Sequence, residues 1–106
     1  MAYRFKRRSR FEVMYQILSL CRTFQPKTYI MFKCNLSYEL LQKYLEILVD
    51  GNLLEIVRKG KDREYYRTTD YGERFINEYE KLKSILEEAK RENNIRETRS
   101  VFTIPE

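Results

Sequence analysis

The sequence predicts a mainly helical α+β domain: three short helices, a β-hairpin and a long fourth helix. Three observations carry this. Residues 37–51 read as one complete helix, with Ser37 as cap, Leu40, Leu41, Tyr44, Leu45 and Leu48 at helical spacing, and Gly51 able to take the left-handed conformation that ends a helix. After Gly51 the period turns extended: Leu53–Arg58 and Arg63–Arg67 read as strands around the turn Lys59-Gly60-Lys61-Asp62. From Thr69 the period is helical again, and Phe75, Tyr79, Leu82, Leu86 and Ala89 step by four and three.

A chain of 106 residues makes one domain and can bury a core without staples. With 35% charged and 14% aromatic residues, but only 3 Gly and 2 Pro, it reads as folded and helix-rich. The net charge of +5 is unevenly spread. Residues 1–67 hold 14 Lys/Arg and 7 Asp/Glu, a net of +7, and residues 68–106 hold 7 and 9, a net of −2. Solubility alone needs no such asymmetry, so the first two thirds point to a polyanionic partner.

There is no histidine, which excludes Ser–His and Cys–His catalytic pairs. With two cysteines as the only soft ligands, no metal site is expected, and no cofactor or small-molecule ligand is evident. Cys21 and Cys34 read as reduced, partly buried thiols of a cytosolic protein, with a disulfide left open. No run of 18 apolar residues exists, so no membrane span is expected. Glu12 and Gln16 interrupt the apolar stretch behind the basic start, unlike a signal peptide, and the expected location is cytoplasmic.

Residues 1–10 form a basic arm in which Arg4, Lys6, Arg7, Arg8 and Arg10 are interleaved with Tyr3 and Phe5. Cations just before a helix N-terminus oppose its macrodipole, which favours an anionic partner over a solvating tail. The first helix is predicted from Ser9 or Arg10 to about Thr23, with Ser9 and Glu12 as a capping box and Val13, Met14, Ile17, Leu18 and Cys21 buried. Gln25-Pro26 breaks the chain. A short second helix covers about Lys27 to Lys33, with Ile30 and Met31 assigned to the core. A three- or four-residue turn then leads to Ser37, which is the helix-turn-helix pattern.

The hairpin that follows has Arg58, Lys59, Lys61 and Arg63 at its tip against one acid, Asp62, and reads as a phosphate- or minor-groove-contacting wing. Thr69 caps the last helix, predicted to end at Asn93 or Asn94. Its four-three spacing is a coiled-coil seam of Phe75, Tyr79, Leu82, Leu86, Ala89 and Asn93, and it predicts a homodimer. The tail from Ile95 to Glu106 is compatible with a disordered end or a short docking strand. The domains are then an arm (1–10), a DNA-binding unit (11–68), a dimerisation helix (69–94) and a tail (95–106).

Helix, helix, helix, hairpin and long helix is the order of a winged helix-turn-helix. Pro26-Lys27-Thr28-Tyr29-Ile30-Met31-Phe32 through Asn35-Leu36-Ser37-Tyr38, followed by Tyr44-Leu45 and Leu48, resembles the small archaeal dimeric winged-helix DNA-binding proteins, the chromatin-type proteins with a C-terminal coiled coil. Tyr66-Arg67-Thr68-Thr69-Asp70-Tyr71-Gly72-Glu73-Arg74-Phe75 resembles the wing-to-helix junction of many winged-helix regulators, with Thr68 and Tyr71 where Leu and Lys are usual. The resemblance covers about residues 9–93. It implies sequence-tolerant or regulatory DNA binding and an antiparallel C-terminal helix pair.

The function expected is therefore that of a nucleoid-associated, homodimeric binder of double-stranded DNA, not an enzyme: a transcriptional regulator or chromosomal architectural protein. Ser37, Tyr38, Gln42 and Lys43 are assigned to the major groove, where Gln reads adenine and Lys reaches guanine or phosphate. Lys27, Thr28 and Lys33 are assigned to backbone phosphates, and the wing and arm cations to flanking phosphates or minor groove. The alternatives are a protein-interaction winged helix, which Glu39, Glu46 and Asp50 would suit, and an RNA-binding module.

Overall fold

The computed structural model of the chain describes residues 8–103, with side chains as far as residue 92. The order is α1 (Arg10–Leu20), β1 (Gln25–Pro26), α2 (Lys27–Cys34), α3 (Tyr38–Asp50), β2 (Leu54–Lys59), β3 (Arg63–Thr68) and α4 (Asp70–Thr103). Of the arm, Arg4, Lys6 and Arg7 lie outside the described residues, as does the Asn93 side chain.

Three of the four helix starts follow from a side-chain cap, while α2 starts after Pro26 without one. Ser9 Oγ accepts from the Glu12 N–H at 3.0 Å, and Ser37 Oγ from the Leu40 N–H at 3.1 Å. Thr69 Oγ1 accepts from the Gly72 N–H at 3.0 Å and donates to the Asn52 carbonyl at 2.7 Å. The helix ends differ from expectation. α1 stops at Leu20 rather than about Thr23, because the chain straightens to reach the sheet. α3 ends through Asn52, not Gly51: Gly51 has φ −83°, Asn52 has φ 65°, and the Leu53 N–H donates to the Leu48 carbonyl at 2.8 Å. Asn35 does the same for α2, with φ 54° and the Leu36 N–H on the Met31 carbonyl at 3.1 Å. Asparagine replaces glycine at both left-handed positions.

Gln25-Pro26 does more than break the chain. These residues pair antiparallel with β3, Gln25 with Tyr66 and Pro26 with Tyr65, making a three-stranded sheet of order β1-β3-β2. A two-residue strand has no period to detect, and proline lacks the N–H of an inner strand, so it sits at the edge. The wing hairpin pairs in register from Leu54 with Thr68 to Lys59 with Arg63, and Gly60 turns at φ 73°.

The core lies between the helices and the sheet. Ile17, Leu18, Ile30, Leu41, Leu48, Leu54 and Ile76 are fully buried, each contributing about 1.5–3 kcal/mol. Met31, assigned to the core, is only partly buried, since α2 turns just Ile30 and Cys34 inward. Met14 likewise packs at the core's margin. Leu40 is 41% exposed: the buried stripe of α3 is Leu41, Tyr44, Leu45 and Leu48, and Leu40 falls outside it. Cys21 and Cys34 are buried free thiols. The Thr68 hydroxyl donates to the Leu18 carbonyl at 2.7 Å, and its N–H to the Cys21 carbonyl at 2.8 Å, fastening β3 to the end of α1.

α4 has 34 residues, about 51 Å, and continues through most of the segment expected as a tail. Neither Gly nor Pro occurs between Gly72 and Pro105, so nothing in the sequence stops it earlier. The molecule is accordingly 68 Å long and 19 Å thick. The root of α4 is bound to its own domain. Ile76 is fully buried, Tyr79 packs on Tyr15 with ring centroids 4.6 Å apart, and the Tyr15 hydroxyl donates to Glu80 at 2.8 Å. Arg22 donates to both carboxylate oxygens of Glu73 at 3.0–3.1 Å.

The packing and the buried ionisable groups have measurable consequences for stability. A Cβ on Gly72 would lie 2.3 Å from the Leu53 carbonyl oxygen and 2.5 Å from Thr68 Cγ2. Gly72→Ala is expected to cost about 3 kcal/mol in urea unfolding, more than Gly60→Ala, which adds only left-handed strain of about 1–2 kcal/mol. Burial, reinforced by Cys34, pushes the Cys21 thiol from 9.0 up to about 12. Desolvation raises the Tyr66 hydroxyl above 10.0. Both groups release protons more readily in the unfolded chain, so the contribution of Cys21 is complete below pH 9.0 and is lost as pH rises to about 12, and that of Tyr66 is complete below pH 10.0 and is lost above it. Urea midpoints are expected to stay level between about pH 6 and 8, where no histidine titrates, and to fall above that; Cys21→Ala should make the alkaline fall shallower.

Candidate nucleic-acid interface

α3 presents an exposed face of Ser37, Tyr38, Glu39, Leu40, Lys43, Glu46, Ile47 and Asp50. Its position follows from two adjacent devices, the left-handed Asn35 that ends α2 and the Ser37 cap two residues later. Between them Leu36 is buried and anchors the turn.

Gln42, assigned to base reading, is half-buried and already engaged. Its Oε1 accepts from Lys27 Nζ at 2.6 Å and its Nε2 donates to Glu46 at 3.4 Å. Lys27 Nζ also lies 5.1 Å from the Tyr38 ring centroid. Lys27, Tyr38, Gln42 and Glu46 thus form one cluster across the α2–α3 junction, and Lys27 sits against α3. Thr28 and Lys33 are exposed on α2, with Lys33 Nζ 5.9 Å from the centroid of Tyr29. Lys43 is exposed among Glu39, Glu46 and Asp50, so α3 contributes little net positive charge of its own.

The four wing cations divide into two pairs. Arg58 is held across the hairpin by Glu64, Nη2 to Oε2 at 2.8 Å. Lys59 Nζ lies over the ring of Phe24 at 4.5 Å. Lys61 and Arg63, at the exposed tip, make no ion pair to a described residue. Sequence reasoning missed Phe24 and Arg67. The Arg67 guanidinium lies 4.7 Å from the Phe24 centroid and is paired with Glu55 at 2.7 Å. Phe24 therefore has a cation from each wing strand against its ring. A lone Phe in a turn carries no periodic signal, and its partners stand 35 and 43 residues later.

The arm cations behave differently from one another. Arg10 is exposed at the start of α1. Arg8 is pinned: its guanidinium donates to Gln16 Oε1 at 2.7 Å, to the Cys34 carbonyl at 2.6 Å and to the Asn35 carbonyl at 3.2 Å.

Of the expected seam, Phe75 and Tyr79 are half-buried on their own domain, whereas Leu82, Leu86 and Ala89 are exposed. Ile85, outside the four-three pattern, is 63% exposed. An open cavity of about 470 Å³ between α1 and the root of α4 is lined by Phe11, Leu53, Tyr71, Phe75, Tyr79 and Leu82, with Arg74 and Glu78. Leu82 joins it to the apolar stripe farther along α4. No cluster of His, Cys, Asp or Glu among the described residues has metal-binding geometry, and no described helix is long and apolar enough to cross a membrane. The arrangement is an exposed helix face flanked by cations.

A family model described as winged helix-turn-helix matches residues 7–87. The chain is 28% identical over 81 residues to the uncharacterized protein MJ0287 of Methanocaldococcus jannaschii, covering 76% of this chain and 78% of that one. Among solved structures it is similar to Sso10a-2, a DNA-binding protein from Sulfolobus solfataricus, with a TM-score of 0.76 and 26% identity, covering 93% of this chain and all of that one. A second similar structure, at TM-score 0.57 and 23% identity, is the homodimeric winged helix-turn-helix domain of Mb0332 from Mycobacterium bovis, over 76% of this chain and 72% of that one; at that identity the likeness is one of fold.

Proposed function

The chain belongs to the winged helix-turn-helix family, and from that premise we propose that it binds double-stranded DNA as a homodimer, as a transcriptional regulator or a nucleoid-associated architectural protein. It acts by binding and not by catalysis. The observation that carries this reading is the exposed charge of Lys61 and Arg63, in no ion pair with a described residue, on a wing beside a capped, outward-facing α3. The DNA-binding neighbour Sso10a-2 supports it over its full length.

In this reading α3 lies in the major groove. Ser37, Tyr38 and Lys43 meet base edges or the groove wall, and Gln42 offers what remains of its amide after Lys27 and Glu46 are served. Lys33 and Thr28 meet phosphates beside the groove. Lys61 and Arg63 supply the wing contact to the backbone, while Arg58 and Lys59 stiffen the hairpin through Glu64 and Phe24. Glu39, Glu46 and Asp50 repel phosphate, so affinity comes chiefly from the flanks and α3 contributes placement and any sequence preference. A second reading, docking of another protein on α3, is favoured by the exposed Leu40 and Ile47 among those acids.

Dimerisation uses the apolar stripe of α4 beyond the domain, Leu82, Ile85, Leu86 and Ala89, together with the groove at its root. Phe75 and Tyr79 border that groove while packing on their own core.

Mobility shifts on duplex DNA, single strands and RNA over a salt series test the nucleic-acid reading. Duplex binding should weaken with salt, and Lys61→Ala with Arg63→Ala together should flatten the slope by about two units, one for each phosphate left without its cation; Arg58→Ala should change it less. Absence of duplex binding at low salt would favour protein docking on α3. For the assembly, sedimentation of the Ile85→Glu, Leu86→Glu double variant should give a monomer with an unchanged circular-dichroism spectrum of the domain; a persisting dimer would move the interface elsewhere.

A further inference from the structure

The outward face of α3 is poor in groups that read bases by hydrogen bonding. The helix contains no arginine and no asparagine. Its one glutamine, Gln42, is engaged by Lys27 at 2.6 Å and by Glu46 at 3.4 Å. At the elbow of Asn35, Leu36 and Ser37, the Ser37 hydroxyl oxygen is taken by the Leu40 N–H at 3.1 Å. The forked arginine contact to guanine and the free-amide contact to adenine are therefore both missing from α3. Lys43 remains exposed, but an ammonium is a point charge without a fixed fork.

What the face offers instead is apolar. Leu40 and Ile47 are 41% and 42% exposed, and the buried stripe of Leu41, Tyr44, Leu45 and Leu48 is complete without them. Leu40, Lys43 and Ile47 follow at steps of three and four, so they share one row along the helix. Tyr38 and Gln42 lie on the other flank, against Lys27. Seven residues separate Leu40 from Ile47, about 10.5 Å along the axis. Base pairs rise by about 3.4 Å each, so the two side chains meet pairs about two or three steps apart. Two alkyl groups at that distance, with a lysine between them, do not form the continuous apolar core of a protein interface. They match a target that presents single methyl groups inside an anionic field. The C5-methyl of thymine is the alkyl group that base pairs present in the major groove. Lys33, Lys43, Lys61 and Arg63 supply exposed cations on and around the row for the phosphates.

We propose that Leu40 and Ile47 are the specificity-determining residues of α3, and that they read thymine methyl groups by apolar contact in the major groove. The chain accordingly prefers A·T-rich duplex. This rests on the DNA-binding reading above and names the class of duplex which that reading leaves open. It also gives the two exposed side chains a role that needs no protein partner.

Replacing thymidine by deoxyuridine tests it, because this removes the C5-methyl and leaves charge and base pairing unchanged. The full chain is titrated by mobility shift onto an alternating A·T duplex and onto the same duplex containing deoxyuridine, over a salt series. Binding to the deoxyuridine duplex should be about five- to tenfold weaker, about threefold for each methyl buried. The salt slope should not change, since no phosphate contact is lost. The Leu40→Ala, Ile47→Ala double variant should bind the thymidine duplex about as weakly as the unsubstituted chain binds the deoxyuridine one. Its own preference between the two duplexes should be less than about twofold, the non-additivity of groups in direct contact. Equal affinity of the unsubstituted chain for both duplexes would overturn the proposal, and that comparison needs no variant to fold. So would a preference that survives in the double variant, which would assign the methyl contact to other residues or to the shape of the duplex. Failure of the DNA-binding reading is distinguishable: the unsubstituted chain would then shift neither duplex at low salt, and both readings would fall together.

Discussion

The carbonyl of Leu53 joins the two halves of this molecule. It accepts the Thr69 N–H at 3.1 Å, and the Cα of Gly72 packs where any side chain would collide with it. Thr69 closes the same knot, capping α4 with the oxygen of its hydroxyl and donating the proton to Asn52. The loop after α3 and the first turn of α4 are therefore one unit. Because α3 and β2 both issue from that loop, the direction of the long helix is fixed relative to the outward-facing helix and the wing. A swivel here would uncouple the exposed face of α3 from the direction of α4. The aromatic contact of Tyr15 with Tyr79 and the Arg22–Glu73 pair brace the same joint from α1. These flanking contacts are half-exposed, so the ion pair adds at most about 1 kcal/mol and the close backbone packing matters more.

Charge and shape are divided between elements. α3 supplies shape and carries more acid than base on its exposed face. Positive charge sits around it, and even that is partly committed to structure: Lys27 to Gln42, Lys59 to Phe24, Arg58 to Glu64 and Arg8 to the elbow. Counting basic residues therefore overstates what is left for a polyanion. The committed cations still contribute to the field around the face, since pairing positions their charge and only partly cancels it.

Much of the architecture was legible in the sequence because it depends on local chemistry. Ser9, Ser37 and Thr69 all cap as their types and spacing suggest, and the stripe from Leu41 to Leu48 needs only the helical period. The misread features depend on contacts distant in sequence or on signals too short for a period. Gln25-Pro26 becomes a strand only because Tyr65 and Tyr66 pass beside it. Gly51 attracted the helix stop on residue type, while Asn52 took the left-handed position. Within the site, the exposure of Ser37, Tyr38 and Lys43 could be anticipated from the helix face. The contacts of Gln42 with Lys27, of Lys59 with Phe24 and of Arg8 with Gln16 could not, since in each the two residues lie on different segments of the fold. The end of α4 was misplaced because Val101-Phe102-Thr103 resembles a strand by type, although no helix breaker separates it from the preceding turns.

The length of α4 turns spacing into arithmetic. When two such helices pair along an apolar stripe, the distance between their domains can change only by whole repeats, about 10.5 Å per heptad at 1.5 Å per residue. Successive major-groove faces of a duplex recur every 34–36 Å. The two rulers share no small common multiple, so a register that suits one groove spacing is spoiled by a slip of one repeat. In the proposed dimer, a helix that leaves its domain rigidly and continues to Thr103 acts as a gauge, converting the choice of side chains along one stripe into the separation at which two copies grip the same duplex.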